Sequence, residues 1–488
     1  MKTATRLFCM LVLTGACAAT AMAQMVTPLI PSDALARPRS PEAQAILDAS
    51  TRELMREMQL LGITELRAPR NAVNPQGANF TNYDERKANP YPALPDLLAF
   101  KNGRSVKTRA DWERRRAEIK AVFDSEVYGK YPAHIPKVTW KLDGTETLTH
   151  EGVPVVVKRL TGTVDNSGYR AISVEIKLDL VTPASAKGRR VPVIIGGGTV
   201  PRAPAPGAAA PAPLAGRGAP NPRLSGPPAD SSAKQLLEKG WGFASVNTSQ
   251  VQPDNGAGLA AGIIGLTNKG QPRKLDDWGA LRAWAWAQSR AMDYLVTDRD
   301  VDRAKVGVFG HSRGGKAALI AMADDPRFAI GFISSSGAGG ANLYRRNYGE
   351  LPENLCAPNE FHWMAGNFLK YCAAGRTIDD LPADTHQFIA LVAPRPIFIG
   401  GGDLIMDPGM IPGDAWQDAK GMFMAAAAAS PAWTFYGKKG LGTDTLPQIE
   451  TMLDSGAVAF RQHPYGHVAG PNWAHFIAFA QKQFAGRK

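Results

Sequence analysis

A short segment that runs into a Gly-x-Ser-x-Gly turn constrains the fold more than any other feature of the sequence. Residues 306–309 are apolar and typical of a buried strand, and residues 314–323 are typical of a helix. A strand-to-helix turn this sharp brings backbone segments close together, so we expect side chains at Gly310 and Gly314 to clash. The turn would hold the hydroxyl of Ser312 in the open, at the N-terminus of the helix.

Strand-like and helix-like segments alternate along the C-terminal half of the chain. Further strands are predicted at 191–195, 243–246, 328–333, 396–400, 432–436 and 457–461, and helices at 278–296, 414–427 and 473–484. Such alternation implies βαβ units and a parallel sheet. Residues 137–182 instead alternate apolar and polar side chains, as half-buried strands do. The sequence therefore predicts an α/β domain with N-terminal β additions.

The N-terminus has the pattern of a secretory signal peptide. Residues 1–23 combine a basic start, an apolar stretch and a small-x-small cleavage site. We expect cleavage after Ala23 and a secreted or periplasmic protein, the alternative being an uncleaved anchor. Residues 24–100 are expected to wrap a catalytic domain that spans 101–488.

Two helices and one loop are predicted outside the alternating region. The helices lie at 41–61, inside the wrapping segment, and at 108–128, at the start of the main domain. Residues 199–230 are rich in Pro, Ala and Gly, which favours an extended surface loop within the domain.

Composition and charge exclude several classes of protein. A hydrophobic fraction of 44% excludes wholesale disorder, and a mean hydropathy of −0.19 without a second long apolar run excludes a multispanning membrane protein. Loss of Lys2 and Arg6 with the signal peptide lowers the formal charge from +12 to +10. That charge favours acidic polysaccharide or envelope lipid, although a basic protein without a polyanionic partner is common. The sequence has no basic run interleaved with aromatic residues, so it gives no indication of nucleic-acid binding.

Two cysteines remain after the predicted cleavage, Cys356 and Cys372. In an oxidising compartment they form either one disulfide or two buried thiols, and the sequence alone does not choose between these. Together with His362 they provide too few ligands for a zinc site, so we predict neither a metal nor a cofactor. The sequence carries no signal of the oligomeric state.

Ser312 is a weak nucleophile unless a base accepts its proton. In an α/β-hydrolase fold the catalytic residues follow the chain order serine, acid, histidine. His463 and His467 both lie between the last predicted strand and the last helix, and His467 occupies a loop that is free to face the serine. His463 is expected to be structural, and His475 to pack on the last helix.

The acid that orients the imidazole is expected after the strand at 396–400. Asp403 follows that strand directly and is the predicted acid, with Asp407 as the second choice. Gly196-Gly197-Gly198 fits a backbone donor to the oxyanion, but equally fits the start of the proline-rich loop. The Arg313 amide, and its cationic side chain, would also face the developing negative charge.

Several stretches together resemble the glucuronoyl esterases, carbohydrate esterases of the α/β-hydrolase fold that cleave the ester between 4-O-methyl-glucuronic acid and a lignin alcohol. The stretches are DDWGALRAWAWAQSRAMDYL (276–295), VGVFGHSRGGKAAL (306–319), SSSGAGGANLYRR (334–346), EFHWMAGNF (360–368), LPADTHQFIALVAPRP (381–396) and GDLIMDP (402–408). The resemblance covers roughly 235–485 and looks closest to bacterial members. Its most specific part is Ser-Arg-x-Gly-Lys, and it implies a three-layer sandwich.

The resemblance also assigns roles to individual residues. It implies that Ser312 is the nucleophile, His467 the base and Arg313 an oxyanion-stabilising residue. Lys316 matches a lysine that binds uronate hydroxyls, and Glu360 matches an acidic residue that binds sugar hydroxyls.

The sequence departs from the family pattern at two places. Fungal members have their acid just before the Ser-Gly-x-Gly-Gly run, where this chain has Ser335, and this favours the later Asp403. A substrate-stacking tryptophan is common in the acid loop, where this chain has Ile405 and Met406. Trp363 is the residue expected to supply sugar stacking instead.

The residues and the resemblance lead to one main hypothesis and two rivals. The main hypothesis is a secreted serine esterase that hydrolyses 4-O-methyl-glucuronoyl esters of lignin-type alcohols through a Ser-His-Asp triad. The first rival is an acetyl-xylan or other carbohydrate esterase on the same fold. The second is a carbohydrate-binding protein with a decayed site.

Overall fold

A nine-stranded mixed sheet forms the centre of the computed structural model, with strand order β1-β2-β3-β5-β4-β6-β7-β8-β9. The structure describes residues 40–72, 74–89, 93–201, 230–403 and 414–485. The strands are β1 (Val138–His150), β2 (Val153–Val164), β3 (Glu175–Pro183), β4 (Val191–Ile195), β5 (Gly242–Val246), β6 (Val301–His311), β7 (Ile330–Ser334), β8 (Ile397–Gly402) and β9 (Val458–His463).

The sheet divides into an antiparallel and a parallel part. Strands β1, β2 and β3 pair antiparallel, and β3 pairs antiparallel with β5. From β5 onward every neighbouring pair is parallel. Every residue of β7, β8 and β9 is buried, as expected for parallel strands covered on both faces, whereas β1 alternates half-buried and exposed residues. The predicted N-terminal β additions and parallel core are both present.

Helices cover both faces of the parallel strands. The helices of the described residues are α1 (Pro41–Leu60), α2 (Arg109–Val122), α3 (Ser232–Glu238), α4 (Thr248–Val251), α5 (Gly262–Thr267), α6 (Ala280–Leu295), α7 (Arg313–Asp324), α8 (Pro352–Leu355), α9 (Thr385–Ala390), α10 (Ala419–Ala429), α11 (Pro431–Thr434) and α12 (Trp473–Ala485). Residues of α6, α7 and α10 share one apolar core with the sheet, and residues of α3 and α12 share a second. Two cores on opposite faces make a three-layer α/β sandwich.

The C-terminal region contains one wrong prediction. The segment predicted as a strand at 432–436 is a helical turn up to Thr434 and a turn beyond it, because Pro431 occupies the first turn of α11. Its apolar side chains are buried by tertiary packing: Trp433 is fully buried, and the ring of Phe435 stacks on that of Trp112 at 5.8 Å. A short apolar run of this kind does not distinguish a strand from a buried helical turn.

The N-terminal helix is fastened to the main body by a buried ion pair. Glu57 of α1 accepts a 2.7 Å hydrogen bond from Arg273, and both side chains are fully buried. Arg273 also donates to the carbonyl of Met364 at 2.6 Å. Residues 39–488 accordingly form one unit. The predicted signal peptide and most of the proline-rich loop lie outside the described residues.

Within the described ranges, no helix has both the length and the apolar character needed to cross a bilayer. The same part of the chain holds no group of three His, Cys, Asp or Glu side chains placed to bind a metal ion.

Candidate active site

The Gly-x-Ser-x-Gly segment forms the predicted sharp turn between β6 and α7. Ser312 has φ 58° and ψ −133°, a strained conformation for a residue with a side chain, and its N–H donates to the carbonyl of Ser334 at 3.0 Å. A Cβ on Gly310 would overlap the carbonyl of Gly314, so glycine is required there. The expected clash at Gly314 is wrong, because a side chain at that position would point into open space.

His467 lies in the predicted loop between β9 and α12 and is bonded to a buried aspartate. Its Nδ1 is 2.7 Å from Oδ1 of Asp414. The aspartate is fully buried, whereas the imidazole remains 33% exposed. A neutral imidazole that donates from Nδ1 to a carboxylate presents Nε2 as the acceptor for a further proton.

This contact corrects the prediction of Asp403 as the partner of His467. Asp403 instead accepts a 2.7 Å hydrogen bond from Gln462, and burial raises its pKa. Asp407, the second choice, lies outside the described residues. Asp414 was missed because it begins a segment that the sequence predicts to be helical.

The buried carboxylate of Asp414 accepts hydrogen bonds from three groups. Burial by itself would raise its pKa, but hydrogen bonds from His467, from Ser335 Oγ at 2.6 Å and from the Gly402 amide keep the pKa below its usual range. Ser335 stands where fungal members carry their acid, and its amide donates to the carbonyl of Gly400 at 2.7 Å. Ser335 therefore helps to orient the carboxylate that contacts His467.

A second imidazole packs against His467 and was not predicted. The ring of His311 lies 4.3 Å from the ring of His467, centroid to centroid, and its Nδ1 is 3.1 Å from Ser334 Oγ. Burial, followed by the neighbouring His467, lowers the pKa of His311 to about 4, so this ring is neutral at neutral pH. Since His311 directly precedes Ser312, the contact places the serine turn and the His467 loop at the same end of the sheet.

Two of the three amides in the Gly196–Gly198 segment, which the sequence suggested as oxyanion donors, are occupied. The Gly196 N–H donates to the carbonyl of Ala244 at 2.7 Å, and the Gly197 N–H donates to the carbonyl of Ile194 at 3.2 Å. Both amides are therefore engaged in backbone bonds. A further predicted donor is the Arg313 amide in the first turn of α7.

The Arg313 side chain is 58% exposed and lies beside Asp254, which contacts three side chains. Its Nη1 is 3.3 Å from Asp254, which also accepts from Trp363 Nε1 at 2.6 Å and contacts His362 Nε2 at 2.9 Å. Trp363 is only 5% exposed, so a sugar can reach little of the ring expected to stack on it. Asp254 was not predicted, because it is distant from these partners in sequence.

Lys316 is buried and already paired. Its ammonium contacts Glu350 at 2.8 Å and donates to the carbonyl of Ala338. Glu360 lies near this pair and is partly buried; burial, then the negative charge of Glu350, raises its pKa to about 8, although Lys316 and Arg313 oppose that rise. Glu360 Oε2 is buried and no described group bonds it. Glu350 is a further residue that sequence reasoning missed.

A disulfide between Cys356 and Cys372 closes the segment that carries Glu360 and Trp363. This resolves the two alternatives that the sequence left open. The two cysteines are 16 residues apart, and closing a loop of that size stabilises the folded state by about 3 kcal/mol in the chain-entropy model.

We predict that Glu360→Gln weakens the pH dependence of stability. Between its ordinary pKa of 4.5 and about 8, folded Glu360 holds a proton that the unfolded chain lacks, so stability falls as pH rises through this window. Glutamine does not titrate, and the difference between pH 6 and pH 9 is expected to be on the order of 2 kcal/mol, allowing for partial exposure.

Thermal unfolding of wild type, Glu360→Gln and the exposed control Glu65→Gln at both pH values measures this effect. Wild type and the control should lose stability in parallel, and Glu360→Gln should lose less. Equal losses in all three proteins would contradict the raised pKa.

A serine at a strand-to-helix turn, a histidine after the last strand and a buried aspartate between them in sequence are the residue types of a serine hydrolase with the α/β-hydrolase fold. Comparison with known proteins agrees with this class. A family model described as "Glucuronyl esterase, fungi" matches residues 273–437. Carbohydrate esterase MZ0003, from an unknown prokaryotic organism, is 30% identical over 427 residues, which cover 83% of this chain and 92% of that protein.

Other relatives and solved structures agree. The 4-O-methyl-glucuronoyl methylesterase of Cerrena unicolor is 28% identical over 64% of this chain, and the match spans 56% of that enzyme. The glucuronoyl esterase of Teredinibacter turnerae superposes with a TM-score of 0.77 at 38% identity, covering 89% of this chain and all of that one. The Solibacter usitatus enzyme gives 0.67 at 34% identity, over 82% and 100%.

The chain belongs to the glucuronoyl esterase family. It is therefore a carboxylic ester hydrolase with the α/β-hydrolase fold, and the family and fold expected from the sequence are confirmed.

Proposed function

We propose that the protein hydrolyses glucuronoyl esters through Ser312, His467 and Asp414. The observation that carries this proposal is the 2.7 Å hydrogen bond between His467 and Asp414. The imidazole of His467 also packs on that of His311, the residue that precedes Ser312. The chain order serine, aspartate, histidine is the one that the fold requires.

The reaction proceeds in two halves. Ser312 Oγ attacks the C6 carbonyl carbon while His467 Nε2 accepts the hydroxyl proton, and Asp414 stabilises the imidazolium that forms. The tetrahedral intermediate collapses, the bond from C6 to the alkoxy oxygen breaks, and His467 protonates the departing alcohol. Water then attacks the glucuronoyl-serine ester; His467 takes the water proton and returns it to Ser312 as glucuronic acid leaves.

Arg313 stabilises the charge that develops on the carbonyl oxygen. Its amide belongs to the first turn of α7, where the helix dipole favours an anion, and its exposed guanidinium is held near the turn by Asp254. The substrate ester is neutral at C6, so this cation gains most once negative charge appears. That difference between ground state and transition state is what accelerates the reaction.

Lys316 and Glu360 bind the sugar. Lys316 is fixed by Glu350, and its ammonium lies 5.7 Å from the Trp363 ring centroid. Glu360, with a pKa near 8, donates or accepts a hydrogen bond with a sugar hydroxyl. The Trp363 ring lies within 6 Å of both Arg313 and Lys316 and is only 5% exposed, so its role is to position these cations.

The proposed substrate is the ester of 4-O-methyl-glucuronic acid on glucuronoxylan with a lignin-type alcohol. The names of the Cerrena unicolor and Wolfiporia cocos relatives, both 4-O-methyl-glucuronoyl methylesterases, support the acid. The signal-peptide pattern of residues 1–23 supports secretion or export to the periplasm, where the enzyme would contact glucuronoxylan.

An assay of two ester classes tests this proposal against an acetyl-xylan esterase. We expect kcat/KM for benzyl glucuronate to exceed that for acetylated xylooligosaccharides by about 100-fold, because Lys316 and Glu360 recognise the uronate ring rather than an acetyl group. Lys316→Met should lower the glucuronate rate and leave slow acetyl release unchanged. Faster deacetylation than glucuronate release would overturn the substrate assignment.

A further inference from the structure

Exposed cations line the end of the sheet that lies opposite the candidate active site. Strands β5, β4 and β6 are neighbours and run parallel, so their starts share one edge. Exposed basic residues precede or begin all three strands, and we call this set the basic edge: Lys187, Arg189, Arg190, Lys239, Arg299 and Arg303.

Strand pairing brings these segments together. Val191, next to Arg190, pairs with Val301 of β6, and its amide donates to the carbonyl of Asp300 at 2.9 Å. On the other side of β4, Val193 pairs with Gly242 of β5. The cations therefore come from three adjacent chain segments rather than from scattered parts of the surface.

The local carboxylates offset the charge of the basic edge only in part. Each contacts a cation outside the edge, but Lys158 is shared by Asp298 and Asp300, and Lys234 by Asp230 and Glu238. Asp300 contacts Lys158 at 2.8 Å, and Asp302 contacts Lys305 at 3.0 Å. Glu238 lies 3.8 Å from Lys234. Among the described residues, none of the six cations forms an ion pair with a carboxylate.

The basic edge is remote from the reacting groups. Val193 of β4 pairs with Val306 of β6. Val191 lies two residues before Val193, and Ser312 lies six residues after Val306. The separation along the strand direction is therefore eight residues, about 26 Å at the usual rise of a strand. A polymer bound along the edge leaves the serine turn accessible.

We propose that the basic edge binds a carboxylate-bearing polysaccharide, and the identity of that polymer as a glucuronoxylan rests on the proposed function. Each exposed ion pair is weak, so binding requires a polymer that presents several carboxylates at once to cations on neighbouring segments. An anionic lipid surface fits less well, because none of the exposed large apolar residues of the described chain lies in these segments.

Affinity electrophoresis in gels containing de-esterified glucuronoxylan tests the proposal. A parallel gel contains the same xylan after its carboxyl groups have been reduced to alcohols. The test variant is Arg190→Gln/Arg299→Gln/Arg303→Gln, and the matched control is Arg52→Gln/Lys101→Gln/Lys107→Gln, which removes three exposed cations elsewhere.

We expect the test variant to lose roughly 10-fold in affinity for glucuronoxylan, the product of about two-fold for each contact removed. The affinity of the control variant should stay within about two-fold of wild type. None of the proteins should be retarded by the reduced xylan, and retention in glucuronoxylan gels should weaken as salt increases. Equal loss in both variants, equal binding to reduced xylan, or competition by phosphatidylglycerol vesicles would overturn the proposal.

Hydrolysis of benzyl glucuronate separates this inference from the proposed function. The test variant should keep wild-type kcat/KM, because its substitutions are far from Ser312. Failure of wild type to cleave benzyl glucuronate would refute the proposed function while leaving the polymer-binding result to be judged by the gels alone.

Discussion

Replacing Ser312 with alanine is expected to lower kcat for benzyl glucuronate by about 10⁴- to 10⁶-fold, the range seen when a serine hydrolase loses its nucleophile. Alanine has no hydroxyl to form the glucuronoyl-serine intermediate, so the residual rate reflects attack by water at a site that still stabilises the oxyanion. KM should change little, since the sugar contacts proposed for Lys316 and Glu360 do not involve the hydroxyl.

The experiment combines kinetics with covalent labelling. A fluorophosphonate probe should label wild type and the exposed control Ser249→Ala, and should fail to label Ser312→Ala. Alanine keeps the Cβ and therefore the same backbone strain at position 312, so thermal unfolding should show that Ser312→Ala is folded and close to wild type in stability. Turnover within about 10-fold of wild type in a folded Ser312→Ala would rule out this residue as the nucleophile.

The serine turn could be predicted from sequence because its determinants are local. A strand, a glycine at position 310 and a helix within about a dozen residues dictate the bend, and Gly310 is required by a neighbour only four positions away. The region of His467 was predictable for a related reason, since the fold places the base between the last strand and the last helix. Both inferences need only short-range pattern and topology.

The acid could not be predicted in the same way. Asp403 follows β8 directly and satisfies the rule of position, but its carboxylate contacts Gln462 of the neighbouring strand. Asp414 contacts His467, and its carboxylate accepts hydrogen bonds from Ser335 and Gly402, which are distant in sequence. No periodicity in the sequence encodes those contacts.

Unpredicted residues around the site share this property. Asp254 meets His362 across 108 positions, and Lys316 meets Glu350 across 34. His311 was adjacent to the predicted nucleophile, yet its role depends on a ring contact with a loop 156 positions later in the chain. Tertiary packing decides which polar side chains contact each other at the site. Residue type and spacing therefore identify at most one of the two residues in each contact.

Replacing Asp414 with asparagine is expected to lower kcat by about 10³- to 10⁴-fold, as in other triads whose aspartate is made neutral. The carboxylate accepts from Nδ1 of His467 and thereby keeps Nε2 free to take the serine proton. An asparagine amide in the same position can donate to Nδ1, which favours the tautomer that carries its proton on Nε2. It also removes the negative charge that stabilises the imidazolium.

Asp403→Asn is the matched control, because it makes the same chemical change 11 positions earlier, next to Gln462 rather than His467. Its kcat should stay within about three-fold of wild type, since the altered group is not in contact with the imidazole. Measuring kcat and thermal unfolding for both variants distinguishes a catalytic loss from a folding defect. If Asp403→Asn were the more damaged enzyme, the acid would have to reach His467 from Asp403 during turnover, and the assignment of Asp414 would be wrong.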